Sequence, residues 1–317
     1  MTKRKLLITH NIDNTHIKQI ESLVPDWDVI IGKEKETWEP HLESAEVIAG
    51  WKKEMNDAEN PNLRWLQTWS AGINGLPLGR LEKADVAITS ANGVHANPIS
   101  ETIFGLMLAL TRKIHTYVLQ QQDKTWHHAN MNLELHNKTV GIIGVGAIGK
   151  ETAKIAKAFG MKTLGIRHSG KEVEHIDQMY TLDHFHDLLP ECDYVVSTLP
   201  LTEQTNRLFD KKAFDLMKKT AFFINIGRGQ LLDEHAMIEA LQTGAIAGAG
   251  LDVFEKEPLE ETNPLWEMEN VIVTPHTAGS TEFYNERVME MIFIPNLEKY
   301  VNNELPHLNL VDYKKGY

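Results

Sequence analysis

The sequence predicts an α/β protein of two domains, each built on a parallel sheet. Three observations carry this reading. Short apolar segments rich in Val and Ile alternate with amphipathic helical segments along nearly the whole chain, as in parallel sheets with crossover helices. One long apolar helical stretch interrupts the alternation near residue 100, and the pattern restarts more regularly at Lys138. A glycine-rich turn opens the second series. At 317 residues the chain is about two domains long.

The elements follow in order. Residues 5–9 read as a first strand, and Asn14 is placed to cap a helix whose Ile17, Ile20 and Val24 share one face, with Pro25 as its stop. Further strands are expected at 27–31, 47–49, 63–69 and 86–89, completing a small parallel domain that ends near Asn97-Pro98. A helix over 100–121 comes next, with Ser100 as its cap. Its stretch 103–110 is apolar nearly all round, so it should lie between layers or between subunits. From Lys138, strands are expected at 139–143, 163–167, 194–197, 221–225, 247–251 and 271–274, with helices at 147–159, 210–217 and 234–243. Pro295 should kink or split a final helix over 281–302.

Composition removes several function classes. Lys and Arg total 32 against 44 Asp and Glu, a net charge of -12, which argues against nucleic acid or an acidic membrane as partner. The apolar run behind the basic start is only Leu6-Leu7-Ile8, too short for a signal peptide. The stretch 103–110 is too short to span a bilayer. The single cysteine, Cys192, rules out an intrachain disulfide and fits a cytoplasmic protein. It lies between Glu191 and Asp193, which disfavour a thiolate nucleophile.

The turn Gly144-Val-Gly146-Ala147-Ile148-Gly149 is a G-x-G-x-x-G motif directly after an apolar strand and at the start of a helix. Gly144 permits the tight turn, Gly146 admits a pyrophosphate, and Gly149 lets helix and strand pack closely. The helix N-terminus adds free N–H groups and partial positive charge. Six strands with intervening helices behind such a turn suggest a dinucleotide-binding domain. About 20 residues on, where an NAD-selective site carries Asp or Glu, the strand tip reads Arg167-His168-Ser169. Arg167 can pair with a 2′-phosphate, with Ser169 and His168 beside it, so NADP(H) is the preferred cofactor and NAD(H) the lesser one.

Three later segments place chemistry after strands. Ile226-Gly227-Arg228 offers a guanidinium for a carboxylate and its neighbouring carbonyl. Asp252 and Glu257 follow the next strand, and His276 the last. The carboxyl ends of strands in an open parallel sheet converge on the ligand crevice, so these residues can meet. His276 can exchange a proton with a carbonyl oxygen, and Glu257 beside it would favour the protonated ring. Singly, each has an ordinary structural explanation; together they point to a site.

These segments resemble the NAD(P)-dependent D-2-hydroxyacid dehydrogenases, a family that includes glyoxylate/hydroxypyruvate reductases, and the resemblance covers nearly the whole chain. Thr68-Trp-Ser-Ala71-Gly72-Ile73-Asn74 resembles the family's substrate loop, Asn92-Gly-Val94 and Ser100-Glu101 its entry to the long helix, and Ser197-Thr-Leu199-Pro200 with Thr205 its adenine-side loop. The resemblance implies a Rossmann-type, doubly wound domain over 100–281, inserted in a smaller flavodoxin-like substrate domain formed by 1–99 plus 282–317. It implies reduction of a small 2-oxo acid to a D-2-hydroxy acid, with His276 as acid/base, Glu257 tuning it and Arg228 on the carboxylate and carbonyl. Asp252 matches the position that contacts the nicotinamide amide, and Gly279 lies in the cofactor-contacting segment. Backbone N–H groups of Ala71, Gly72 and Ile73 would hold the substrate carboxylate, with Trp51 as a gate. A homodimer joined through the long helix and the following arm, with Trp126, is also implied.

Asn74 stands where many relatives carry Asp, so no catalytic weight falls on it. The rival readings are a dinucleotide-sensing corepressor, which shares the fold and these residues, and a formate dehydrogenase, which expects longer N-terminal elements. Metal ligation is not expected: His127-His128 and His184-Phe-His186 lack a Cys partner or an H-E-x-x-H helix. His95 and His115 read as structural or surface residues, and Trp65 and Trp69 as core fillers.

Overall fold

The computed structural model describes residues 3–73 and 75–313; Asn74 lies outside the described residues. Two units divide the chain. One comprises Met1–Val94 with Thr281–Tyr317, the other His95–Ser280.

The first unit holds five strands: β1 (Lys5–Ile8), β2 (Asp28–Ile31), β3 (Val47–Ala49), β4 (Trp65–Gln67) and β5 (Ala87–Thr89). All pair in parallel in the order β2-β1-β3-β4-β5. Alternation along the strands fills both faces. Leu7, Ile48, Leu66 and Ile88 pack with Trp38, Leu42 and Leu81 on one side. Leu6, Ile8, Val47, Ala49 and Trp65 meet Ile20, Phe293 and Leu297 on the other.

The second unit holds seven: β6 (Thr139–Ile143), β7 (Lys162–Ile166), β8 (Gln178–Tyr180), β9 (Tyr194–Ser197), β10 (Phe222–Asn225), β11 (Gly248–Leu251) and β12 (Val271–Val273). They are parallel in the order β12-β11-β10-β9-β6-β7-β8. The chain starts mid-sheet at β6, runs outward through β7 and β8, then returns to build the other half from β9. The order therefore reverses between β6 and β9, where such sheets bind ligands at their carboxyl ends.

Several expectations need correction. Asp13, not Asn14, caps the first helix, its Oδ1 accepting from the N–H groups of Thr15 (2.8 Å) and His16 (2.9 Å). The helix expected over 100–121 is two, Ala96–Thr111 and Ile114–Gln122, separated by Lys113 at φ +54°. The first ends where the apolar run ends and Thr111 Oγ1 donates back to the Met107 carbonyl at 2.6 Å. Ser100 is no cap; its hydroxyl lies 3.1 Å from Thr152 Oγ1 on the helix Ala147–Ala158. The edge strand β8 was not anticipated. The strand expected over 63–69 stops at Gln67, which leaves Trp69 beyond it. At the C-terminal helix a π turn, Met289–Phe293, absorbs the change before Pro295, and Ile294 N–H bonds the Met289 carbonyl five residues back.

Candidate functional site

The glycine turn leaves β6 at the reversal of strand order. Gly144 has φ +112°, and a Cβ there would stand 2.9 Å from the backbone of Thr198 and Leu199, so the turn requires glycine. Thr198 Oγ1 donates to the Gly144 carbonyl at 2.5 Å. Leu199 and Pro200 continue this neighbouring loop, which Thr205 staples by donating to the Pro200 carbonyl (2.7 Å) and accepting from Thr202 N–H (2.8 Å). The helix Ala147–Ala158 begins at Gly146 with no side-chain cap. Among the described residues, the N–H groups of Ala147, Ile148 and Gly149 meet no acceptor. A Cβ on Gly146 would project into open space. Free donors, a helix N-terminus and this clearance fit the pyrophosphate of a dinucleotide, which would bring a nicotinamide able to give or take hydride.

At the tip of β7, Arg167 is half-buried, while His168 and Ser169 are exposed. Backbone bonds fix the tip: Arg167 N–H to the Tyr180 carbonyl and Gly170 N–H to the Arg167 carbonyl, both 3.0 Å. The unforeseen strand β8 thus supports this corner. No carboxylate among the described residues pairs with the Arg167 guanidinium.

The Arg228, Glu257 and His276 segments do converge. His276 Nδ1 lies 2.7 Å from Glu257 Oε2, and the other carboxylate oxygen accepts from Phe254 N–H at 3.0 Å. Burial pushes the Glu257 carboxyl up, but the hydrogen bonds from His276 and Phe254 and the positive charges of His276 and Arg228 outweigh it. They hold the group below the usual carboxylate range. The pair leaves His276 Nε2 without a protein partner among the described residues.

Two buried polar residues shape these loops. Asp252 is 1% exposed. Its Oδ1 accepts from Thr274 Oγ1 (2.6 Å) and Thr277 N–H (3.0 Å), and its Oδ2 from Ala278 N–H (3.0 Å). Between those donors, His276 occupies the left-handed region at φ +52°, a conformation unusual for any residue but glycine. The Asp252 carboxylate therefore braces the turn that presents the imidazole. Asn225, at the end of β10, was missed by the sequence reading. Its amide donates to the Arg228 carbonyl (3.1 Å) and its oxygen accepts from Gly227 N–H (3.2 Å), closing the turn Ile226-Gly227-Arg228. A buried Asn directly before I-G-R-G was the available signal. Arg228 is exposed, and its Nη1 donates to the Gly227 carbonyl at 2.7 Å. Gly279 accepts from His95 Nδ1 at 2.9 Å, a structural role for that histidine.

In the first unit, Ala71 and Gly72 are exposed and Ile73 is buried. None of their N–H groups meets an acceptor among the described residues. Trp51 is half-buried, its Nε1 donating to Asn56 Oδ1 at 2.7 Å. Cys192 is buried and its thiol pushed up to about 12, chiefly by desolvation. Among the described residues there is no group of three or more His, Cys, Asp or Glu arranged to hold a metal, and no helix long and apolar enough to cross a membrane.

Comparison with known proteins places this geometry. Residues 104–278 match the family model for the D-isomer specific 2-hydroxyacid dehydrogenase NAD binding domain. A glyoxylate reductase from Pyrococcus horikoshii is 32% identical over 321 residues, covering 96% of this chain and 95% of that one. Among solved structures, a D-isomer specific 2-hydroxyacid dehydrogenase family protein from Aeromonas salmonicida is 30% identical, with TM-score 0.80, over 98% of this chain and 100% of that one. An NADPH-dependent glyoxylate/hydroxypyruvate reductase from Sinorhizobium meliloti, solved with NADP and sulfate, is 26% identical, with TM-score 0.78, over 99% and 100% of the two chains. A family model that matches more than half of the chain and a relative 32% identical over nearly its whole length agree with this fold, and the chain belongs to the D-isomer specific 2-hydroxyacid dehydrogenase family of nicotinamide-dependent oxidoreductases.

Proposed function

We propose that the protein reduces a small 2-oxo acid to the D-2-hydroxy acid with NADPH as the preferred hydride donor. The observation that carries this is the His276–Glu257 pair at 2.7 Å, which commits Nδ1 and leaves Nε2 to face a substrate oxygen. In reduction, Nε2 gives its proton to the carbonyl oxygen as hydride arrives at the carbon. In oxidation, Nε2 takes the proton back. Glu257 keeps the ring oriented through its contact with Nδ1. Arg228 binds the carboxylate and polarises the adjacent carbonyl, stabilising the negative charge that develops on oxygen. In the first unit, the N–H groups of Ala71, Gly72 and Ile73, which meet no acceptor among the described residues, also suit a carboxylate. Asp252 braces the His276 turn, and one acceptor site remains on its carboxylate for the nicotinamide amide.

The preference for NADPH rests on Arg167, unpaired at the tip of β7, with Ser169 and His168 beside it. The S. meliloti relative is named as NADPH-dependent. We also take the protein to be a cytoplasmic homodimer. Ile114, Val118 and Leu119 on the helix Ile114–Gln122 are about half-exposed, and Trp126 just beyond is fully exposed, which supports a partner surface there.

The test is coenzyme oxidation, with NADPH and with NADH, against glyoxylate, hydroxypyruvate, pyruvate and longer 2-oxo acids. Turnover is expected with NADPH favoured, and H276A should lower kcat by about 10² or more. No turnover on any acid, or an H276A variant as fast as the parent, would sink the reading.

A further inference from the structure

Beyond β4 the chain is exposed over Ser70, Ala71 and Gly72, so burial does not fix the loop that carries the N–H groups of residues 71–73. Polar contacts shape it instead. The Ser70 carbonyl accepts from Thr68 Oγ1 at 2.7 Å and from Ala91 N–H at 2.9 Å, and the Gly72 carbonyl accepts from Ser70 Oγ at 2.6 Å. With these carbonyls engaged, successive N–H groups are left for an anion. None of these contacts sets the loop against the one leaving β1. In the order β2-β1-β3-β4-β5, β3 separates β1 from β4, so the sheet itself does not pair their two exits.

Trp69 makes that connection. Its ring stacks on His10, which follows β1, with centroids 4.6 Å apart and planes at 8°. Its indole N–H donates to Asn285 Oδ1 at 2.8 Å, and the amide nitrogen of Asn285 donates to the Asn11 carbonyl at 3.2 Å. The Asn285 side chain thus bridges the loops beyond β1 and β4. The Trp69 carbonyl accepts from the Tyr284 hydroxyl at 2.8 Å. Trp69 and Tyr284 also pack against a small apolar cluster of Ala91, Val94, Val288 and Ile292. Burial pushes the Tyr284 hydroxyl up to about 12, so it stays a donor throughout the neutral range. Tyr284 and Asn285 open the helix Tyr284–Val288, eight and nine residues after His276 in the chain.

We propose that Tyr284 and Asn285 are positioning residues for substrate binding: by holding Trp69, they place the N–H groups of Ala71, Gly72 and Ile73 for the substrate carboxylate. This rests on the oxo-acid reading above. The two residues act through Trp69 and not on the reacting atoms. Only Ser70 lies between Trp69 and the first of these N–H groups, so a loosened Trp69 spreads the directions in which they point. A carboxylate is bound alike in the ground state and the transition state, so losing either clamp raises KM while kcat is largely kept. The glycine turn of the second unit keeps the coenzyme affinity as it was.

The test uses the full chain and the variants Y284F, N285L, W69F, W69F/N285L and W69F/Y284F. Steady-state reduction of the 2-oxo acids gives KM and kcat. Calorimetry gives the affinity for oxamate, a carboxylate that mimics a 2-oxo acid, with NADPH saturating, and then the affinity for NADPH alone. Y284F and N285L should each raise KM and weaken oxamate binding roughly three- to tenfold, with kcat and NADPH affinity within about twofold of the parent. N285L should add little in the W69F background, where the indole N–H is already gone. Y284F should still weaken binding there, because it acts on a backbone carbonyl. Unchanged KM and oxamate affinity in both single variants of an active parent, a matching loss of NADPH affinity, or full additivity of N285L with W69F overturns the clamp and leaves the oxo-acid reading standing. A parent inactive on every 2-oxo acid whose oxamate binding still depends on both residues upholds the clamp and overturns that reading. A parent that neither turns over a 2-oxo acid nor binds oxamate overturns both.

Discussion

The brace between Asp252 and the His276 turn makes a prediction whose size follows from its hydrogen bonds. In D252N the shape is kept and one oxygen becomes an amide nitrogen. The carbonyl oxygen of Asn can still serve Thr274 Oγ1 and Thr277 N–H, which already share Oδ1 in the parent. The amide nitrogen then faces Ala278 N–H, donor against donor, where Oδ2 accepts at 3.0 Å. A hydrogen bond to a charged group contributes about 1.5–3 kcal/mol, and leaving a buried donor unsatisfied costs about 1–3 kcal/mol. The left-handed backbone at His276 adds about 1–2 kcal/mol of strain that the brace no longer opposes as well. We expect D252N to lose about 2–4 kcal/mol in urea unfolding or, where the turn relaxes locally instead, a comparable part of transition-state stabilisation, roughly 30-fold or more in kcat/KM. T274V removes only one of the three donors and should cost about 1 kcal/mol. Unfolding curves and saturation kinetics on both variants decide it. If D252N changes stability by less than about 0.5 kcal/mol and leaves kcat/KM within twofold, the carboxylate does not hold the turn and the reasoning fails.

Other perturbations address the remaining groups. Glu257 sits below the usual carboxylate range, so its contribution is present above the unfolded value and lost as pH falls through the folded one. The pair's carboxylate should therefore stay charged through neutral pH and be lost only in acid, below the usual carboxylate range. With side chains 35% and 51% exposed, the Glu257–His276 pair is screened and contributes about 1 kcal/mol. E257Q should lower kcat/KM for reduction by roughly five- to tenfold as the imidazole loses the acceptor that orients it, and an unchanged kcat/KM contradicts that role. R167D should lower the ratio of NADPH to NADH efficiency by roughly 10², and an unchanged ratio removes Arg167 from coenzyme selection. N225A strips two hydrogen bonds from a fully buried position and should cost about 2–3 kcal/mol, with KM for the oxo acid rising as the Arg228 turn loosens; a stable variant with unchanged KM would show that the amide does not position Arg228.

What could be read from the sequence was what local pattern or strand order determines. G-x-G-x-x-G names its own geometry because turn, clearance and helix start occupy consecutive residues. Arg228, Glu257 and His276 were readable because each follows a strand, and strand ends in a parallel sheet converge whatever the separation along the chain. The missed features depend on facts that a linear pattern does not hold. Asp13 and Asn14 are both good cap residues one position apart, and only the backbone at 13 decides between them. The strand β8 is a three-residue edge strand whose Met179 and Tyr180 are only half-buried, so no apolar alternation announces it. Lys113 lies in a polar stretch where helix and left-handed turn read alike. The Asp252 brace depends on where three donors twenty-odd residues away arrive, which the fold alone determines.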